Sequence, residues 1–449
     1  MSTRTLRDPV HGDIELTHEE IALIDTRDFQ RLRGVKQLGT ASLVYPGAVH
    51  TRFEHSIGTM HCADRMIDAV NRNAERDPGN CLRIGDEDRR TIRIAALLHD
   101  VTHVPFGHNL EDQTGLLARH DHAERFREAL GDTEIGSVLD GLGLRSRVLG
   151  MLCGDEELPP YLTQIHSDTI DADLCDYLRR DAYHTGLALR YDDRALAWFR
   201  VDRESQRMFV DCEKGGMLRE DITSELVRML EIRFHFSERV YYHHAKIAAG
   251  AMIARMVEAA LLDGRLTADD LRQATDESLL FHLESVRLSN GEDQARLRRL
   301  IERYRRRALL KRLAVLTAAE NQEHQQALLD TFFDPNAATS RRVWEQRIEA
   351  EAQKVLGRPV DVLLYCPARE MQLKEARTQV RMPSREGAVF GTLEDFADRV
   401  PRLGDLARSY PRLWRLYVFS SETDRDARAQ LQQVCLRELP DGCVNALRL

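Results

Sequence analysis

The chain has 449 residues, 43% of them hydrophobic and 31% charged, with a formal net charge of −9. That length allows one large hydrophobic core or two to three smaller ones, and no stretch approaches the roughly 20 consecutive apolar residues of a membrane span. The acidic balance gives no global attraction for polyanions, so long nucleic acid is not the expected partner and any phosphate binding must come from local Arg, Lys, His or metal.

In chain order, the opening MSTRTLRDPVHGD carries no apolar run ahead of a small-residue cleavage site. A secretory signal is therefore not expected, and the chain reads as cytoplasmic. Thr17 and Glu20 have the spacing of a capping box ahead of Ile21, Leu23 and Ile24, and the first fifty residues are predicted to be mostly helical. Arg90 to Leu98 is apolar at Ile92, Ile94, Ala95, Ala96, Leu97 and Leu98, a helix buried on most of its surface that delivers His99-Asp100 into a core. Further helices are predicted over Asp171 to Tyr183, Glu220 to Ala260, Glu284 to Thr317 and Thr339 to Val355. The basic run RLRRLIERYRRRALLKR reads as an amphipathic helix with Leu297, Leu300, Ile301, Leu309 and Leu310 inward and Arg in solvent.

Beyond Gly357-Arg358-Pro359 the texture changes. VDVLLYCP reads as a buried strand, Thr378 to Met382 alternates, and LWRLYVFS is another β-favouring run. The predicted architecture is mostly α: a helical domain over residues 1–260, a helical extension over 261–356 and a small α+β lobe over 357–449. Eight cysteines with no CxxC pair fit reduced thiols rather than a disulfide or zinc-thiolate framework.

The residues that carry chemistry fall in four places: His55 in HTRFEHSIG, His99-Asp100 in AALLHDVTHVPFGH, Asp173 in DADLCDYLRRDAYH, and the group His103, His108, His120 and His122. Imidazole and carboxylate together make a site suited to iron, manganese, zinc, nickel or magnesium. An adjacent His-Asp pair at the end of an apolar helix points the same way, because a buried carboxylate is costly without a partner. The later histidines are candidates for a general acid at a leaving oxygen.

On these residues the sequence resembles the HD-domain superfamily, whose metal set is one His, an adjacent His-Asp pair and a distant Asp. DPVHGDIEL, LIDTRDFQRLRGVKQLG, VYPGAVHTRFEHSIG, LLHDVTHVPFGH and DLCDYLRRDAYHTG resemble, in order, the signatures of the SAM-and-HD-domain branch of deoxynucleoside triphosphate triphosphohydrolases. RFHFSERVYYHHAK is similar to that branch's substrate-facing helix.

The resemblance implies a divalent metal held by His55, His99, Asp100 and Asp173, with Arg52 and His103 near the phosphates. It further implies Gln37 and Asp181 near the sugar 3′-hydroxyl, and Tyr177, Arg233 and Tyr241 lining the nucleotide pocket. The implied reaction is water attack on the α-phosphorus, with His120 or His122 as the proton donor. Asp25, Gln30 and Arg33 match positions that read a regulatory nucleotide, GTP or a dNTP, in a homodimer or homotetramer; Arg194 and Lys214 match basic positions of the same region, and Cys212 does not match. Leu174 stands where the branch often has a phosphate-binding Lys. Two other functions share these features: another HD phosphohydrolase, such as a nucleotide monophosphatase or phosphodiesterase, and a nucleotide sensor or single-stranded nucleic-acid binder. Pocket residues separate the first from a triphosphohydrolase, and an intact metal set argues against the second.

Overall fold

A computed structural model of the chain describes residues 3–111, 117–333, 337–367 and 376–449. It opens on an antiparallel hairpin, β1 (Arg4–Asp8) and β2 (Gly12–Leu16), with Asp8 opposite Gly12. The expectation of a mostly helical first fifty residues is thereby corrected. Ile14 and Leu16 alternate inward at the two-residue period of a strand, and Gly12 takes the positive φ of 82° that the turn requires. Helix α1 (His18–Ile24) then starts at the predicted capping box: Glu20 N donates to Thr17 Oγ1, and Thr17 N donates to Glu20 Oε2 at 2.8 Å.

Three helices build the first core: α2 (Arg52–Arg76), α3 (Asp86–Leu98) and α4 (Ala172–Thr185), with α2 packed on both others. Strands β3 (Phe199–Val201) and β4 (Met208–Asp211) follow, then α5 (Glu220–Phe236) and α6 (His244–Leu262). The predicted helix over 220–260 is thus two helices, separated by a π-turn at Ser237–Tyr241. Such turns insert one residue into the helical ladder and re-aim the side chains beside it. Helix α6 is buried on nearly all sides and, with α7 (Asp276–Ser285) and α8 (Gly291–Arg305), forms a second core around Met252, Leu280 and Leu300.

The helix predicted over 284–317 also needs correction. It ends at Arg305, Arg307 takes a φ of 54°, and Lys311–Thr317 is strand β5. Tertiary pairing overrides the helix-favouring composition here. After α9 (Ala337–Leu356) come β6 (Val362–Tyr365), β7 (Gln379–Ser384), β8 (Gly387–Thr392), β9 (Arg415–Ser420) and α10 (Arg425–Arg437). Strand β9 lies between β5 and β6, antiparallel to both. The second sheet runs β8-β7-β4-β3, with β7 parallel to β4, so strands after residue 357 extend a sheet begun near residue 200. The chain is mostly α, with small sheets, and all eight cysteines are free.

A buried ion-pair layer joins α6, α8 and α9. Glu345 accepts from Arg255 Nε and Arg296 Nη2, both at 3.0 Å, and from the Leu364 backbone N–H at 2.9 Å. Glu345 is fully buried, so this carboxylate depends on those partners for its charge to be tolerated.

Candidate metal centre and nucleotide pocket

Each predicted metal ligand comes from a helix end or an early turn. His55 lies in the first turn of α2, just past a second capping box in which Thr51 N donates to Glu54 Oε2 at 2.8 Å. His99 and Asp100 follow the last residue of α3. Asp173 lies in the first turn of α4, whose start is fixed by Asp171 accepting from Leu174 N at 2.7 Å. Short local signals therefore set the axial positions of His55 and Asp173.

These four residues converge. His55 Nε2 lies 2.9 Å from Asp173 Oδ1 and 3.6 Å from Asp100 Oδ2; His99 Nε2 lies 3.6 Å from Asp100 Oδ1 and from Asp173 Oδ1. The imidazoles commit their other nitrogens to protein acceptors: His55 Nδ1 to Asp176 Oδ2 and His99 Nδ1 to the Ala96 carbonyl, both at 2.7 Å. With Nδ1 carrying the proton, both Nε2 lone pairs face one point, 3.3 Å apart. Two lone pairs and two carboxylates directed together suit a cation among them. Burial opposes a charge on His55, yet Asp173 and Asp176 raise its imidazole to about 10; a divalent ion meets the same demand in place of that proton. His55, His99 and Asp173 offer donor atoms within 4.8 Å of one another, Asp100 lies 3.6 Å from both imidazoles, and with the held second layer this set fits such an ion.

The site opens into a cavity of about 400 Å³. His55, Asp100 and Asp173 line it together with Gln37, Arg52, Tyr177, Asp181, Arg233 and Tyr241. Arg52 is buried and donates through Nη1 to Asp100 Oδ2 at 2.5 Å, while its Nε and the buried Gln37 Oε1 find no hydrogen bond among the described residues. Burial opposes the charge of Asp100, but Arg52, His103 and His99 hold it well below the usual carboxylate range. Asp181 accepts from Tyr241 Oη at 2.7 Å and meets His50 Nε2 at 2.9 Å, so two groups fix its orientation. Leu174, at the position where a Lys was expected, is a buried apolar part of the lining, and Lys246 brings an ammonium group to the same cavity.

The histidine-rich segment divides. His103, His108 and His120 line the cavity, whereas His122 is the exposed N-cap of a short helix and does not. His103 and His120 surround Glu111, whose Oε2 lies 2.9 Å from His120 Nδ1 and whose Oε1 lies 3.3 Å from His103 Nδ1. Burial opposes ionisation of Glu111, but the two imidazoles hold it far below the usual carboxylate range. His120 is itself pushed down to about 4, by burial first and then by His103, against the pull of Glu111. A near-neutral titration, the sequence-level expectation for these histidines, does not hold for His120 in the free chain.

Asp25 and Arg33 are exposed and Gln30 half-buried; Arg33 Nε donates to Gln30 Oε1 at 2.8 Å, and none of the three lines the cavity. Arg194 and Lys214 are exposed and Cys212 is buried. Sequence reasoning missed Asp176, Glu111, His50, His11 and Lys246. Asp176 had a usable signal, since it lies three residues after Asp173 on the same helix. Glu111 had none, because nothing in NLED marks it as the partner of the imidazoles on either side of it in the sequence.

The model of the HD domain matches residues 52–181 and that of the HD associated region matches residues 223–438. The uncharacterized protein YwfO of Bacillus subtilis is 31% identical over 330 residues, covering 68% of this chain and 71% of that protein. The deoxynucleoside triphosphate triphosphohydrolase SAMHD1 of Homo sapiens is 30% identical over 307 residues, covering 61% of this chain and 46% of that protein. Its homolog in Dictyostelium discoideum is 28% identical over 337 residues, 69% of this chain and 60% of that protein. The chain thus spans only about half the length of these two relatives. A crystal structure of a hypothetical protein from Aquifex aeolicus shares the fold, with a TM-score of 0.66 at 22% identity over 97% of this chain and 100% of that one. An HD domain carrying the converged His, His-Asp and Asp set, followed by its associated region, identifies the chain as a member of the HD-domain phosphohydrolase superfamily, in its SAM-and-HD-domain-like branch.

Proposed function

We propose that this chain hydrolyses deoxynucleoside triphosphates to deoxynucleoside and inorganic triphosphate, using a divalent cation held by His55, His99, Asp100 and Asp173. One observation carries the reading: a single cavity is lined by three of those residues, by the buried cation of Arg52 and by the hydrogen-bonded pair Tyr241–Asp181. The triphosphohydrolase name of relatives at 28–30% identity supports the substrate class.

A divalent cation in such a site supplies Lewis acidity to a phosphoester and acidifies water. The chain's residues do the rest. Arg52, anchored on Asp100, directs charge-assisted hydrogen bonds at phosphate oxygens, with Arg233 and Lys246 adding to the positive lining that Leu174 does not provide and His103 beside them. Asp181 accepts from the sugar 3′-hydroxyl, whose oxygen accepts from the Gln37 amide N–H, and Tyr177 fills the space that a 2′-hydroxyl needs. The oxygen of a water bonds to the α-phosphorus as the bond from phosphorus to the 5′-oxygen breaks. That departing oxygen takes a proton from His120, and the proton lost by the water passes to solvent. Because His120 is neutral in the free chain, the anionic triphosphate is what favours its protonation. Asp25, Gln30 and Arg33 complete the proposal as a surface for GTP or a dNTP between subunits of a homo-oligomer.

Incubation of the Mn²⁺-loaded chain with each dNTP and rNTP, singly and mixed, tests this reading. Turnover of dNTPs above rNTPs supports it, and turnover only in mixtures, with a change of mass by light scattering, supports the regulatory surface. Hydrolysis confined to monophosphates or cyclic nucleotides would replace it with another HD phosphohydrolase.

A further inference from the structure

The metal ligand His55 is the end of a fully buried chain of contacts that begins in the N-terminal hairpin. His55 Nδ1 donates to Asp176 Oδ2 at 2.7 Å, and Asp176 Oδ1 meets His11 Nε2 at 2.7 Å. Arg180 grips both oxygens of Asp176, through Nε at 2.9 Å and Nη2 at 2.8 Å, and turns Nη1 to Asp8 Oδ2 at 2.9 Å. Asp8 closes the path: its Oδ1 accepts from the backbone N–H groups of Val10 and His11, both at 2.8 Å, which shapes the turn that presents His11. The side chains of His11, His55, Asp176 and Arg180 are each at most 1% exposed.

Gly58 lies one turn along α2 from His55, and a Cβ there would overlap Asp176 Oδ1 and Arg180 Nη2. The absent side chain is the space in which this carboxylate reaches the imidazole. A carboxylate that receives the Nδ1 proton of a metal-binding His fixes its tautomer and ring angle and makes Nε2 a better donor.

We propose that Asp176 and His11 are positioning residues for the metal centre: Asp176 fixes His55 with its Nε2 lone pair at the ion, and His11 fixes Asp176. The hairpin β1–β2 is then part of the metal site, although none of its residues lines the cavity. This inference rests on the metal reading of His55, His99, Asp100 and Asp173.

The test is Co²⁺ binding to the full chain, read as affinity by chelator competition and as the visible absorption of the bound ion, with folded fraction followed by circular dichroism. Expected losses of affinity are roughly 10-fold for His11→Ala and 10- to 100-fold for Asp176→Asn, with an altered Co²⁺ spectrum in both. His11→Gln, whose amide N–H reaches for Asp176 Oδ1, recovers most of the loss. Should Asp176→Asn not fold, the two His11 variants carry the test. Variants that melt earlier yet bind Co²⁺ with wild-type affinity and spectrum would make the network purely structural and overturn the proposal. A wild-type chain that binds no Co²⁺ in a His55-dependent way would overturn the metal reading and this inference with it.

Discussion

The rings of His103 and His120 stack with centroids 3.7 Å apart and planes 21° from parallel. Seventeen positions of chain separate them in the sequence, and the side that each turns to Glu111 is the same, through Nδ1. This pairing favours His120 over His122 as the proton donor. His120→Asn is expected to lower kcat by about 10²- to 10⁴-fold, and His122→Ala to leave it within about twofold, by steady-state kinetics. A loss of similar size in both variants would contradict the assignment.

Stability should depend on pH through histidines that the fold keeps neutral. Burial, the largest cause in each case, holds His61, His120 and His166 at about 4, with His11, His103 and His99 respectively adding repulsion. Between pH 6.5 and 4 the unfolded chain binds these protons and the folded chain does not, so stability falls as pH falls through that window. The urea midpoint is expected to drop from pH 7 to pH 4.5, and His166→Asn to flatten part of the slope. Midpoints that stay level over this range would contradict the burial argument.

The ion-pair layer between α6, α8 and α9 predicts a large loss from one truncation. Glu345→Ala leaves Arg255 and Arg296 buried without their shared acceptor, which costs about 3–5 kcal/mol. Glu345→Gln keeps an acceptor and is expected to cost less. Equilibrium denaturation compares the two, and equal losses would count against the charge pairing as the cause.

Sugar selection is expected to reside in Tyr177, a half-buried ring in the cavity lining. Tyr177→Ala should bring the ratio of dNTP to rNTP turnover toward one, chiefly by admitting ribonucleotides. A ratio unchanged from wild type would remove Tyr177 from the selectivity.

Much of the helical core was legible because its signals are local. Thr17 and Glu20 mark a helix start, and Ile92 to Leu98 leaves no polar face for solvent, so α1 and α3 stand where expected. Strand β5 was not legible: LLKRLAVLT carries no Gly or Pro after the preceding helix, and its strand state comes from antiparallel pairing with β9, about a hundred residues later. The candidate metal residues stood out through the unusual His99-Asp100 adjacency and the resemblance to the HD-domain set. Asp176, His11 and Glu111 act through partners that only folding brings near, and His11 sat inside a recognised block without a visible role.

The proposed reaction is tested most directly by product analysis, using anion exchange and mass spectrometry after incubating the Mn²⁺-loaded chain with dNTPs, beside the double variant His99→Ala/Asp100→Ala. The wild type is expected to release deoxynucleoside and inorganic triphosphate in equal amounts, and the variant neither. Release of pyrophosphate or orthophosphate, or equal turnover by the double variant, would contradict it.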